Sequence, residues 1–337
     1  MATPNDILKR INKLSEQAYD KSLASYEKEL VRAYRDALRS IKMQIADMYE
    51  KIGDDPDKYL QQAEKFNRLT NLEEGIAKEF NKLTGSTIKT TNLAIKETFQ
   101  SNYYIQGFSF EQSLLTNVRF GLLNTDQVNA VVANPLRNVD WKQSLKLSKE
   151  ASFRKVKTEI VQGLIKGQGY QKTAREVSKK IGLLQTEKGL AVDPKGNLFN
   201  SLRIIRTETH RSQSAGTLLG YDETLASANR LGLDPKKIWV TTFDNRTRPS
   251  HANENAEPAD KEGNFTIEGA SAPAPGMFGV ASIDINCRCT TRQEFDGLEA
   301  QKVRASGELT TFQSFGEWAE KNGISKNKYG QSYKNVA

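Results

Sequence analysis

The sequence predicts an α+β protein that is mostly α-helical: long N-terminal helices, a helical middle, and a small C-terminal β-containing unit packed on a long helix. Three observations carry this. Apolar residues recur at spacings of three and four through the first third of the chain. A second long helical pattern runs from about Phe199 to Leu231. After it the texture changes to short β-branched and aromatic runs, beginning with "KIWVTTF".

Taken in order, Leu23, Tyr26, Leu30, Ala33, Ala37, Ile41, Ile45, Met48 and Ile52 form one apolar stripe, with charged residues between them. Gly53 ends that helix, and Asp55-Pro56 begins the next as N-cap and first helical residue. A second stripe from Tyr59 to Leu83 is expected to end at Thr84-Gly85, with a third helix from Thr87 to about Tyr104. Three helices with short connections predict a stalk or bundle over residues 1–106. Its stripe serves either an internal core or a partner helix.

Residues 107–195 read as a helical middle. "LNTDQVNAVVANP" is a short helix capped by Asn124 or Thr125 and stopped before Pro135. Asp140 precedes a helix carrying Trp141, Leu145, Phe153, Val156, Ile160 and Leu164. Gly167 to Gly169 break it, and "YQKTAREVSKKIG" makes a short amphipathic helix. This helix–turn–helix layout superficially resembles a nucleic-acid-binding element; the plainer reading is a packing hairpin. "GLLQTEKGLAVDPKGN" reads as a loop.

Residues 196–297 hold the long helix, ended by Gly232, and three candidate strands at Lys237–Phe243, Asn264–Gly269 and Ile285–Phe295. "DNRTRPSH" is expected as a turn and "ASAPAPGMFG" as a loop. Residues 298–337 form a basic tail with an amphipathic helix around Phe315 to Glu320.

Bulk properties narrow the function classes. At 337 residues the chain is long enough for two or three compact units. Its net charge of +8 comes from 49 basic against 41 acidic residues. That balance suits a nucleic acid or an acidic protein surface, or simply a solvated basic face. No run approaches the ~20 apolar residues of a membrane helix. The N-terminus lacks the apolar segment of a signal peptide, so a soluble, non-exported protein is expected. The only cysteines, Cys287 and Cys289, are one residue apart, too close for an unstrained disulfide. They suit a reducing cytoplasm.

The familiar catalytic signatures, His-Glu-x-x-His, Gly-x-Ser-x-Gly and the P-loop, are missing. Cys287 or Cys289 could act as a nucleophile only with a lowered thiolate pKa and a defined base. The sharper reading is structural zinc. Cys287, Cys289 and His251 offer sulfur and nitrogen ligands, and Asp244 a fourth, stapling two loops with little apolar content. The plain alternative is buried free cysteines, with Asp244 capping its turn or pairing with Arg246 or Arg248. In "RTETHR", Arg206 and Glu208 point apart at i,i+2. Each needs a partner elsewhere, such as the Asp244–Arg248 turn or Arg288, unless the helix face is simply solvated.

"RTETHRSQSAGTLLGY", "WVTTFDNRTRPSH", "PAPGMFG" and "INCRC" occur in this order between roughly Leu164 and Phe295. The combination resembles the phage Mu F-like family of minor head proteins, also called head morphogenesis proteins. The matching positions are Arg206, Thr207, Glu208, Trp239, Asp244, Arg246, Arg248, His251, Cys287, Arg288 and Cys289. The resemblance implies a non-enzymatic, minor structural protein of a tailed-phage head, acting in procapsid assembly near the portal. It implies a place in the capsid interior or portal vicinity, and in the host cytoplasm during assembly. The implied partners are the portal protein, the major capsid or scaffold proteins, and double-stranded DNA bound non-specifically. It also implies that Asp244, His251, Cys287 and Cys289 form a shared site. A second function class stays open: a metal-dependent hydrolase or nuclease using this cluster, with Glu208 as base. One departure from the family pattern is the run "ANENAEPADKEG" after His251, which has no glycine until Gly263. Some relatives carry a toxin domain after this region, and the residues following Gly297 are too few for one.

Overall fold

One uninterrupted apolar stripe makes the first helix of the computed structural model, which describes residues 3–118, 120–133, 140–296, 313–334 and 336. Helix α1 spans Pro4–Ile52. Gly53 ends it at φ +80°, a conformation that costs a residue without Cβ little. As predicted, Asp55 then caps a 3-10 turn with Pro56 in its first position. The turn leads into α2, Tyr59–Glu64.

The second stripe breaks at a different place from the one expected. Phe66 and Asn67 both sit at φ +55°, and α3 runs from there through Thr84-Gly85 as one helix, Arg68–Leu114. The predicted separate helix from Thr87 is its continuation. A helical glycine costs about 1 kcal/mol relative to alanine. Burial of Ile76, Phe80 and Leu83 outweighs that, and the hydroxyls of Thr84 and Thr87 donate back to the Phe80 and Leu83 carbonyls. From Gly107 to Leu114 the stripe fades while the helix continues, because Phe108, Phe110, Glu111, Gln112, Ser113 and Leu114 are all buried. A helix covered on every side shows no amphipathic period.

The chain forms two compact units that interleave along the sequence: residues 1–25, 92–138 and 205–337 in one, 26–91 and 139–204 in the other. In the second unit α1 and α3 are antiparallel. Thr90 donates to Glu29, and further along α3 a Cβ on Gly75 would meet Gln44. Asp140 caps α5, Trp141–Ile165, as predicted. Gly167, at φ +60°, turns the chain toward α6, Tyr170–Ile181. The Tyr49 hydroxyl holds this turn, 2.9 Å from the Gln168 carbonyl and from the Thr173 hydroxyl. The segment after α6, expected as a loop, contains an antiparallel hairpin, β1 (Leu183–Thr186) and β2 (Gly189–Val192). Only Leu183 of its eight residues is buried, so the sequence alternates too weakly to announce a strand.

In the first unit Asn124 caps α4, Thr125–Ala133, through a reciprocal pair of hydrogen bonds with Gln127. The predicted stop before Pro135, and the start of the predicted tail at 298–312, lie outside the described residues. Farther on, α10 (Phe315–Lys321) opens with a Ser314–Glu317 capping box and buries Phe315 and Trp318 completely. These two rings pack with Phe108, so this stretch belongs to a core.

Helix α7 spans Asn197–Arg230, and Gly232 follows at φ +67°. Gly216 and Gly220, one turn apart, bring it against the α3 backbone. A Cβ at either would collide with the carbonyl of Phe99 or Tyr103. Strand β3 (Pro235–Val240) pairs antiparallel with β6 (Thr290–Phe295), and β4 (Phe265–Ile267) with β5 (Ala270–Ala272). Two short helices lie between them, α8 (Pro249–Asn253) and α9 (Ala281–Asp284). Three local expectations change here. "DNRTRPSH" ends in α8 because Pro249 suits a first helical position. The "ASAPAPGMFG" loop yields its first three residues to β5. The last strand starts at Thr290, so both cysteines precede it. The whole is the mostly helical α+β arrangement that the sequence predicts.

Candidate metal centre

Trp239, fully buried on β3, anchors the centre. Its ring meets Phe265, Phe278 and His251 at centroid distances of 5.2, 6.2 and 5.8 Å. The indole N–H donates to the Thr241 hydroxyl (3.0 Å), which donates in turn to the His251 carbonyl (2.7 Å). This chain of bonds fixes α8 where its histidine faces the cysteines. From the other side, the Asp284 carboxylate accepts from the backbone N–H groups of Phe278 and Val280 and fastens the preceding loop. Asn286, at φ +58°, then turns the backbone into the Cys-Arg-Cys run. Burial alternates along that run: Cys287 and Cys289 face inward and Arg288 outward.

His251, Cys287 and Cys289 are 2, 5 and 3% exposed, and their ligand atoms all lie within 4.8 Å of one another. His251 Nδ1 is 3.5 Å from each sulfur. Zn–S of about 2.3 Å and Zn–N of about 2.05 Å at a tetrahedral angle set S···N near 3.6 Å. The observed spacing fits that requirement. Both thiols are free. The hydrogen bond from Cys287 and the neighbouring His251 push Cys289 down from the ordinary thiol value. The same contact and burial push Cys287 well up. His251 Nε2 is buried without a partner among the described residues. In this it departs from the usual metal histidine, whose second nitrogen donates to a neighbour.

The fourth residue singled out in the sequence, Asp244, lies apart from this trio. Its carboxylate accepts from the Arg288 guanidinium (Nη2 to Oδ1, 2.6 Å) and from the Arg246 backbone N–H (2.8 Å) and side chain (3.3 Å). Arg288, with Arg246, holds that carboxyl well below its ordinary range. The Arg248 guanidinium donates to the Ile285 carbonyl (2.7 Å).

On α7, Glu208 finds a partner on its own helix. Arg211 Nε donates to its carboxylate at 3.1 Å in a buried pair, and Arg211 also reaches the Val131 carbonyl. The i,i+3 spacing puts them on one face, where the sequence reading looked only beyond the helix. Arg206 and Thr207 are half-buried beside them, and the Thr207 hydroxyl has no partner among the described residues. The sequence offers His210 only as one of two histidines able to act as a base, and its place beside the cysteine segment was not foreseen. Its Nε2 lies 2.8 Å from the Cys289 carbonyl, and a Cβ on Gly276 would come within 2.6 Å of its Nδ1. Burial pushes its pKa down, which keeps the ring neutral. Ser214 donates to the Pro275 carbonyl, Tyr221 to the Thr291 carbonyl, and Gln293 to Thr224. One face of α7 thus ties down the cysteine segment, β6 and the "PAPG" loop. The signal was present in the sequence: His210 is one of two histidines and stands inside "RTETHR".

Residues 154–292 match the family described as Phage Mu protein F like protein. The chain is 30% identical over 324 residues to NAD(+)--arginine ADP-ribosyltransferase EFV of Enterococcus faecalis (strain ATCC 700802 / V583), a match covering 92% of this chain and 61% of that protein. It therefore spans less than two thirds of that relative's length. It is 26% identical over 286 residues to Minor head protein GP7 of Bacillus phage SPP1, covering 85% of this chain and 87% of that protein. No solved structure matches it.

Proposed function

Since the chain belongs to the phage Mu F-like family of minor head proteins, we propose that it is a minor structural component of a tailed-phage head. In this reading it acts in procapsid assembly in the capsid interior or near the portal. It touches the portal protein and the major capsid or scaffold proteins, and it meets packaged double-stranded DNA. The observation that carries the reading is the match to a minor head protein over 87% of that protein's length. The other relative is named as a transferase, and this chain spans 61% of it; with the familiar catalytic signatures missing from its sequence, this chain is read as a non-enzyme. The alternative, a hydrolase or nuclease with Glu208 as base, is disfavoured because Arg211 occupies that carboxylate in a buried pair.

The His251–Cys287–Cys289 trio is read as a structural zinc site with three protein ligands; Asp244, whose carboxylate faces Arg288 and Arg246, is left out of this reading. Bound there, the ion would link α8 to the cysteine segment and add its binding energy to folding.

Mass spectrometry of purified procapsids and virions tests the head assignment. The chain is expected in at least one of them at low copy, and absence from both overturns it. Metal analysis of the purified chain is expected to find zinc bound in the native protein and lost in Cys287→Ser.

A further inference from the structure

The net charge of this protein sits in one place. From Trp141 to Gly182 there are eleven Lys and Arg and three Glu, a net +8 that equals the charge of the whole chain. The remaining 295 residues therefore balance to zero. This stretch is the α5–α6 hairpin. Lys157, Lys179 and Lys180 pair with Glu73, Glu176 and Glu159. Lys142 lies over the Trp141 ring and Lys149 donates to Asn81. The other six, Lys146, Arg154, Lys155, Lys166, Lys172 and Arg175, are exposed and have no carboxylate partner among the described residues.

Their arrangement is ordered. On α6, Lys172 and Arg175 stand at i and i+3, and Lys179, paired with Glu176, continues the same stripe at i+7. Between the helices lies a groove of about 330 Å³ lined by Arg154, Lys155, Thr158, Glu159 and Lys180. Like charges at this density repel one another, and an anionic partner would relieve that repulsion.

We infer that the α5–α6 hairpin is the surface by which this chain grips the phosphate backbone of double-stranded DNA without reading its sequence. The inference rests on the proposed contact with packaged DNA and gives that contact its residues. Phosphate contacts need only cations and hydrogen-bond donors, which the α6 stripe supplies. A single-stranded partner would need exposed aromatic rings for stacking, and none of the hairpin's aromatic residues is exposed. An acidic protein would need an apolar interface core. The exposed apolar residues here, Leu147 and Ile165, stand near opposite ends of α5, and the α6 stripe has none.

The test compares two full-length variants that each lose four exposed cations. One is Arg154→Gln, Lys155→Gln, Lys172→Gln and Arg175→Gln on the hairpin. The other is Lys13→Gln, Lys261→Gln, Lys321→Gln and Lys326→Gln elsewhere. Binding to a mixed-sequence DNA duplex is followed by fluorescence anisotropy across a salt series. The hairpin variant is expected to lose at least about tenfold in affinity and to flatten the log K against log salt slope by up to about 3.6. The other variant should keep both. Equal losses in the two variants, no duplex binding by the native chain, or competition by polyglutamate as effective as by duplex would each overturn the inference. Incorporation of the native chain into heads is scored separately, so failure of the head assignment is told apart from failure of the DNA surface.

Discussion

The cysteine–histidine centre and the α5–α6 hairpin treat charge in opposite ways. Around the centre, ionic groups are matched within the chain: Asp244 by Arg288 and Arg246, Glu208 by Arg211, Asp284 by backbone N–H groups. On the hairpin, six cations are left without a carboxylate among the described residues. Inward matching makes a segment of short elements rigid. Leaving charge unmatched gives up local stability and keeps binding capacity for something outside the chain. Substitutions should therefore cost folding stability in the first region and partner affinity in the second.

The largest effect is expected from Trp239→Ala, which empties the space between Phe265, Phe278 and His251. Loss of a fully buried tryptophan costs about 3–5 kcal/mol, readable by chemical denaturation. A loss below about 1 kcal/mol would break the picture of a rigid centre. Glu208→Gln follows. It strands the buried Arg211 guanidinium, and about 3 kcal/mol is expected for breaking such a pair; an unchanged melt would show that the pair is dispensable. Chelation comes third. With metal at a hundred times its Kd, stripping it removes about 2.7 kcal/mol, so the melting temperature should fall in the native chain and stay put in Cys287→Ser.

Asp244 sharpens the comparison through pH. Its folded pKa is depressed below the ordinary 3.8 by Arg288, so its contribution is full above that value and is lost as pH falls below it. Acid unfolding curves of Asp244→Asn should be shallower than native below that point, with the two parallel at neutral pH. The smallest effect is reserved for the hairpin variant with four cations removed, which should unfold within about 0.5 kcal/mol of the native chain.

The same contrast explains what was legible beforehand. Elements defined by local chemistry were readable: the α1 stripe, the stop at Gly53, the caps at Asp55 and Asp140, the ordered signature from "RTETHR" to "NCRC". Features decided by distant packing were not. Nothing beside Phe66-Asn67 announces a left-handed break. Nothing at Gly85 says that the burial of Ile76, Phe80 and Leu83 will carry the helix through. The trio of His251, Cys287 and Cys289 could be nominated from residue type. The removal of Asp244 from it depended on Arg288 facing outward between two inward cysteines, which only the geometry reveals. The packing role of His210 was not legible because a histidine that bonds a backbone carbonyl leaves no mark on the pattern of side-chain types.

The interleaving of the two units has a consequence on the ribosome. Residues 26–91 and 139–204 are all synthesised before the first unit can close, because residues 1–25 and 92–138 wait for partners between 205 and 337. At 5–20 residues per second the opening segment waits roughly 15–60 s for its completing helix. Over that interval the inner faces of Ile7, Ile11, Phe99 and Tyr104 lack Phe315 and Trp318. A chain cut short before its last helix would keep that surface exposed, the kind of fault that cellular chaperones and proteases detect. The unit holding the cysteine centre is thus finished only after Phe315 and Trp318 have been made.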